Sequence, residues 1–443
     1  MNPASQPSPM PPHLRRLIGT CLVLMAAGSA LGIALPAGLG WDFANFYDTG
    51  RRVMAGEYQN LYNEFAPIDG RAPQGNMRFY GVPLSAFFYV PLAWFGPETA
   101  SRWFKFQSFL ALAIGLWFLY VHLRQFVTDT DEGRWRFAAW FAIAALVYQP
   151  FWTIYRVGGQ TTPTVFMLLV AALLTFTQAR VWSTAFLLTL VILIKPAFVL
   201  LAGLLALAAG WPLCVALAVF GLGSAALSIA LAGYPAHVEF WDLMITSSRT
   251  SVSWVYNSAA TVAIENFRLL HDPKPVNARP AHLSRYVEGM RLVAGILFFV
   301  TVWGIYRVNR ASRRESARLC IYLAAIVFGL ALMPIVWEHY LSVLFLPLMY
   351  TLAVHDRLPS VARTLNVLAL GLASIQSLII FQWLHDHWQI TSPLEALAAG
   401  LLKGGPLLIS IGIWTRYNGD LCRQLQRHGN GLHNGESVRT CQN

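Results

Sequence analysis

The chain alternates long apolar runs with short polar stretches. A helix needs about 20 apolar residues to cross a hydrocarbon core, with tolerance for short or tilted spans. Runs that reach or approach this length fall at 17–39, 104–123, 137–152, 162–179, 182–194, 196–210, 212–232, 289–306, 319–336, 340–354, 364–384 and 395–414. The pattern predicts an all-α polytopic membrane protein of about 12 transmembrane helices. The stretch 82–96 is also apolar, but it carries two prolines within 15 residues. It reads as an interfacial or re-entrant segment. Lys195-Pro196 splits 182–210 into two short halves. Proline cannot continue a helix without losing a hydrogen bond, so a hairpin turning at Lys195 is expected.

Composition agrees with lipid as the solvent. Charged residues make up 12% of the 443, against about 25% in soluble domains. Hydrophobic residues make up 56%, and the mean hydropathy is +0.50. The net charge of +11 sits in short stretches between apolar runs, which excludes a nucleic-acid partner and favours membrane lipids. With the N-terminus in the cytoplasm, the inner loops carry Arg124, Arg134 and Arg136, then Arg180, then the run from Arg307 to Arg318, then Arg357 and Arg363. The positive-inside rule asks for this sorting. Residues 17–414 then form one transmembrane domain between cytoplasmic tails 1–16 and 415–443, with outer loops 40–103 and 233–288. The first run follows Arg15 and Arg16 and exceeds the roughly 7–15 residues of a signal peptide, so an uncleaved span is expected. The five cysteines lack CxxC spacing, so neither a zinc site nor a structural disulfide is expected.

Chemistry-bearing residues gather at the ends of runs on the outer side. Asp42 opens the first outer loop among Trp41, Phe43, Phe46 and Tyr47. A carboxylate packed among aromatics is partly desolvated, which raises its pKa and makes it a better base. Asp48 and Glu57 read as solvated loop charges. Gly158-Gly159-Gln160 ends the third run, Lys195 tips the hairpin, and Trp337-Glu338-His339-Tyr340 lies between the ninth and tenth runs. Ionisable groups at membrane depth are costly to bury and usually functional, although Lys195 could also snorkel and His339 could be an interfacial hydrogen-bonding residue. GxxxxGK[ST], HExxH and GxSxG are absent. No DxD-like pair marks a nucleotide-sugar site, and His385-Asp386-His387 reads as an outer-loop cluster rather than a metal site.

Taken in order, several segments resemble the family 87 glycosyltransferases of the C superfamily, bacterial membrane enzymes that use polyprenyl-phosphate sugars. They are Asp42-Phe43, Tyr47, Gly56, Leu61-Tyr62, Phe79-Tyr80, Pro83, Pro91, Gly159-Gln160, Lys195-Pro196 and Trp337-x-His339-Tyr340. The resemblance covers about 40 to 350. Two positions depart from the family pattern, Gly81-Val82 after the tyrosine and Thr161-Thr162 after the glutamine. The resemblance implies a C-superfamily fold with interfacial helices on the outer face, in the bacterial inner (plasma) membrane. It implies transfer of a mannose-like or arabinofuranose-like sugar from a polyprenyl-phosphate donor to a glycolipid or glycan acceptor. Asp42 becomes the general base. His339, Lys195, Arg78, Gln160 and Tyr80 become donor or phosphate residues, and Tyr47, Tyr62, Trp337 and Glu338 line the acceptor side or pocket. No metal or cofactor is required. The rivals are a transporter or flippase of lipid-linked sugars, which would need internal inverted repeats, and a glycan polymerase or ligase. A transporter would also call for charges near the middle of the bilayer, and Lys403, inside the last run, is the one such charge.

Overall fold

The computed structural model describes residues 9–35, 41–63, 78–127, 130–156, 159–249, 259, 281–308, 314–333, 335–375 and 392–425. Gly158, the His385-Asp386-His387 cluster and the tail beyond 425 lie outside them. Among the described residues every extended element is helical. The helices are α1 (Pro12–Ala34), α2 (Trp41–Met54), α3 (Val90–Ala93), α4 (Pro97–Leu123), α5 (Asp131–Val147), α6 (Gln149–Arg156), α7 (Thr162–Thr177) and α8 (Val181–Ile194). They continue as α9 (Val199–Ala209), α10 (Trp211–Ala232), α11 (Tyr234–Arg249), α12 (Ala281–Val308), α13 (Arg314–Leu332), α14 (Phe345–Ala353), α15 (Ser360–Ile375) and α16 (Pro393–Arg416).

Local chemistry sets many of these ends. Proline stands in the first turn of α4, α7, α10 and α16, where its missing N–H costs nothing. Thr130 caps α5, and Ser392 with Glu395 forms a capping box at α16. Gly210, at φ +91°, makes the tight joint between α9 and α10, a conformation that side chains with a Cβ resist.

Each of the twelve apolar runs contains a helix. Among the described residues six helices, α1, α4, α10, α12, α13 and α16, are long and apolar enough to cross a membrane. The pair α5 and α6, bent by 45°, makes a seventh if it forms one span. The remaining apolar helices are shorter. Helix α8, with 14 residues, is only about 21 Å long against a hydrocarbon core of about 30 Å. Length and composition thus support six or seven crossings, fewer than the twelve expected.

The helix ends sort into two rims. On one rim, Arg318 donates to the Thr177 carbonyl at 3.0 and 2.7 Å, Tyr306 to Ala208 at 2.7 Å, and Arg357 to Phe126 at 3.3 Å. Residues 179–183 line a common cleft there with Trp211, Pro212 and Val215, so the chain has returned to the level where α8 began. Lys195, at the far end of α8, lies on the opposite rim beside Gln160. The chain therefore reverses at Lys195, as the proline suggested. The opposite rim also joins Lys105 to the Gly32 carbonyl at 3.0 Å and Arg291 to the Leu332 carbonyl at 2.8 Å. Arg124, Arg180, Arg307, Arg318 and Arg357 thus belong to one end of the bundle.

A second, smaller core sits on the rim opposite those arginines. The 3-10 segment Pro83–Tyr89 and α3 total 11 residues, about 20 Å of chain, and belong to this core. They pack under α2, with Phe46 stacked on Tyr89 at 4.6 Å. The approach is close enough that a Cβ at Gly50 would lie 2.4 Å from the Tyr89 carbonyl oxygen. Phe43, Tyr47, Leu61, Tyr62, Phe79, Phe104 and Ala236 complete this core.

Asp48 differs from the sequence reading. It is buried, not solvated, and pairs with Arg52 one turn on at 2.7 Å. Arg52 also donates to the carbonyls of Asn60 and Asn63, so the pair anchors the loop after α2. The reason is the ion pair itself: Arg52, on the same side of α2, holds Asp48 and the carbonyls of Asn60 and Asn63 together. Asp48→Asn is expected to lower stability by about 1–3 kcal/mol, since Arg52 keeps its two carbonyl acceptors. Glu57→Gln, on the exposed loop, should change it by no more than about 0.5 kcal/mol. Thermal unfolding in detergent reads both.

Candidate active site

Asp42 lies in the first turn of α2, where the helix dipole favours a negative charge. It is half-buried. Burial pushes its carboxyl up to about 6, and the Lys195 ammonium partly opposes that rise. Among the described residues its hydrogen-bond partner is Gln160, whose side-chain Nε2 donates to Asp42 Oδ2.

Gln160 stands just before α7 and is 1% exposed. Ser108 of α4 donates to its backbone carbonyl at 3.0 Å. Gly159 before it has φ +106°, and a Cβ there would lie 2.8 Å from the Phe104 ring. The turn therefore needs glycine for both its backbone and its packing.

Lys195 breaks the path between α8 and α9. Its backbone is extended because proline follows, which turns the side chain out of the helical pattern. Lys195 Nζ donates to Gln160 Oε1 at 3.5 Å and stands 4.7 Å from the centre of the Tyr340 ring. Such a contact holds a cation without neutralising it. The His339 ring meets Tyr340 edge-on at 4.8 Å, and His339 Nε2 is buried without a hydrogen-bond partner among the described residues. Tyr340 also packs against Phe198, just past Lys195, at 5.8 Å.

The structure thus joins Asp42, Gln160, Lys195, Tyr340 and His339 in one chain of contacts. Tyr340 was read from the sequence only as part of a motif, and it proves to be the ring between the two basic side chains. Glu338 is buried and Trp337 half-buried on the same segment. The tyrosines at 47 and 62 have another use. Tyr47 donates to the Phe95 carbonyl at 2.8 Å and Tyr62 to the Gly81 carbonyl at 2.9 Å, so both hydroxyls tie the start of the smaller core to its later part. Arg78 and Tyr80 are exposed, and the Arg78 carbonyl accepts from Asn45 at 3.0 Å. Lys403 is buried in the middle of α16. Among the described residues no three His, Cys, Asp or Glu side chains converge in a way that could hold a metal ion.

The arrangement offers a carboxylate of raised basicity, an ammonium held near it but not against it, and a histidine with a free nitrogen. Together these can accept a proton and stabilise a developing anion. No curated protein matches the sequence. The sequence does match the glycosyltransferase family 87 over residues 79–334. That region contains Gln160 and Lys195 and ends just before the Trp337–Tyr340 segment, while Asp42 precedes it. It makes up more than half of the 443 residues, and the chain belongs to glycosyltransferase family 87.

Proposed function

We propose that this glycosyltransferase moves a sugar from a polyprenyl-phosphate donor to a hydroxyl of a glycolipid or glycan acceptor at the outer face of the bacterial inner membrane. The observation that carries the reading is the half-buried Asp42 carboxylate, one amide away from the Lys195 ammonium. The acceptor O–H gives its proton to Asp42 as its oxygen attacks the anomeric carbon. The bond from that carbon to the phosphate oxygen breaks, and the lipid phosphate leaves with the electron pair. An ionised phosphate is a good leaving group, so it needs charge stabilisation more than a proton. Lys195 and His339 supply that stabilisation. Retaining glycosidases use two carboxylates about 5 Å apart; with Asp42 alone assigned to the reacting centre, displacement with inversion is favoured.

Orientation follows from charge. The rim bearing Arg180, Arg307, Arg318 and Arg357 belongs in the cytoplasm by the positive-inside rule, which puts Asp42 outside. All twelve apolar helical segments then cross, the short ones with the bilayer thinned around them, and both termini are cytoplasmic. Single cysteines at Ser183 and Glu57, in a cysteine-free background, should label from opposite sides, Ser183 from the cytoplasm only. Labelling of both from one side would remove this topology.

The donor is tested with purified protein in detergent. Synthetic polyprenyl-phosphate mannose and polyprenyl-phosphate arabinofuranose are offered with an acceptor glycolipid, and nucleotide sugars are offered in parallel. Transfer from a lipid phosphate alone is expected. Transfer from a nucleotide sugar alone would overturn the reading.

A further inference from the structure

Among the described residues, the side-chain amide of Gln160 touches both the carboxylate and the ammonium. Its orientation is not ambiguous. An ammonium can only donate, so the amide oxygen must face Lys195 and the nitrogen must face Asp42. Both ends of the side chain are therefore occupied before any substrate arrives. The residue is also fixed in place by burial, by the Ser108 hydroxyl on its carbonyl and by the left-handed glycine before it.

We propose that Gln160 is a positioning residue: it fixes the plane of the Asp42 carboxylate, leaves the second oxygen open to the acceptor hydroxyl, and keeps Lys195 from closing on that carboxylate as an ion pair. The claim that the open oxygen meets an acceptor rests on Asp42 being the base. The separation from Lys195 does not.

Distance makes the separation matter. Coulomb attraction falls inversely with distance, so placing an amide between the charges roughly halves it relative to direct contact. A cation in direct contact would lower the carboxylate's pKa by about 1–3 units and occupy an oxygen, which spoils the base on both counts. Two charged groups on the neighbouring helices are committed elsewhere. On α2, Asp48 pairs with Arg52, and on α4, Lys105 is bound to the Gly32 carbonyl. The Tyr340 ring meets both Lys195 and His339, and Glu338 is buried on the same segment. The group that acts on Asp42 across the amide is therefore Lys195.

The test is an infrared titration of the carboxyl C=O stretch in detergent-purified protein, with the Asp42→Asn spectrum subtracted. It needs no substrate. Gln160→Leu removes the spacer, and the Asp42 midpoint is expected to fall by about 1–3 pH units. In Gln160→Leu with Lys195→Met the midpoint should instead rise above that of the wild type, because no cation is left to move in. Gln160→Glu is the same size and puts a second acid against the first, so one shared proton should raise the midpoint by at least about 1 unit. This variant decides the matter if Gln160→Leu does not fold. Wild-type midpoints in the single variants would overturn the proposal. Turnover is measured alongside, with the polyprenyl-phosphate donors above. The expected titration shifts with unchanged turnover would uphold the separation and remove Asp42 as the base. Shifts accompanied by a fall in kcat of at least about tenfold, with donor KM near the wild-type value, support both claims.

Discussion

Asp42→Asn is expected to cut turnover by about 100- to 10,000-fold while leaving donor binding nearly intact. Asparagine keeps the size of the side chain and can still meet Gln160, but it cannot take a proton. Folding should survive, because among the described residues Asp42 holds no ion pair and an N-terminal helix position contributes only about 1 kcal/mol. The control is Glu57→Gln, an exposed loop carboxylate that should keep nearly full activity. Asp48→Asn is a poor control, because Asp48 is paired with Arg52 and its loss would act through stability.

The same residue sets a pH dependence. The carboxyl of Asp42 is raised to about 6 by burial, and a base works only when ionised. The wild-type kcat/KM should therefore rise about tenfold per pH unit well below pH 6 and level off above about pH 7. In Asp42→Asn the residual rate should lose this limb. Near-normal turnover in Asp42→Asn, or an acid limb that persists in it, would move the base to another residue.

Lys195→Met is expected to lower kcat by about 100- to 1,000-fold, the usual loss when one donor to a developing anion is removed. Methionine matches the length and apolar stem of lysine, so packing against Tyr340 and Phe198 should be kept. The effect should fall mainly on kcat and less on donor KM, because the charge on the phosphate grows as the bond breaks. Lys195→Arg should recover part of the loss, since a guanidinium can also stack on the Tyr340 ring. A Lys195→Met enzyme with kcat unchanged and only KM raised would make Lys195 a ground-state binding residue. Donor analogues with a phosphonate in place of the phosphate ester separate the two cases, because they bind without reacting.

Much of the architecture was legible before any coordinates. Apolar runs from Leu17 to Trp414 marked the helices because a helix in lipid must satisfy its own backbone hydrogen bonds. Lys195-Pro196 marked a reversal because proline lacks the N–H and crowds the residue before it. Arginine placement marked which ends belong together, and Arg318 and Arg357 do meet carbonyls on one rim. What the sequence could not weigh was length against crossing: α8 and α9 read as spans by composition, yet they have only 14 and 11 residues.

The site was legible only as a set of separate residues. Asp42, Gln160, Lys195 and His339 stood out because each is a polar or ionisable group at the end of an apolar run. Their arrangement was not legible, because Gln160 is 118 positions from Asp42 and 35 from Lys195. Asp48 shows the same boundary from the other side. It read as a solvated loop charge, but it sits on α2 paired with Arg52, and that arginine is tied to the carbonyls of Asn60 and Asn63, which depends on how the loop after α2 folds back. The sequence by itself determined the helices, their breaks and the sorting of charge, because helix formation in lipid and proline breaks are local and the charge bias acts loop by loop. The tertiary structure alone decided that an amide would stand between the carboxylate and the ammonium, because that depends on how the ends of α2, α7 and α8 pack against one another.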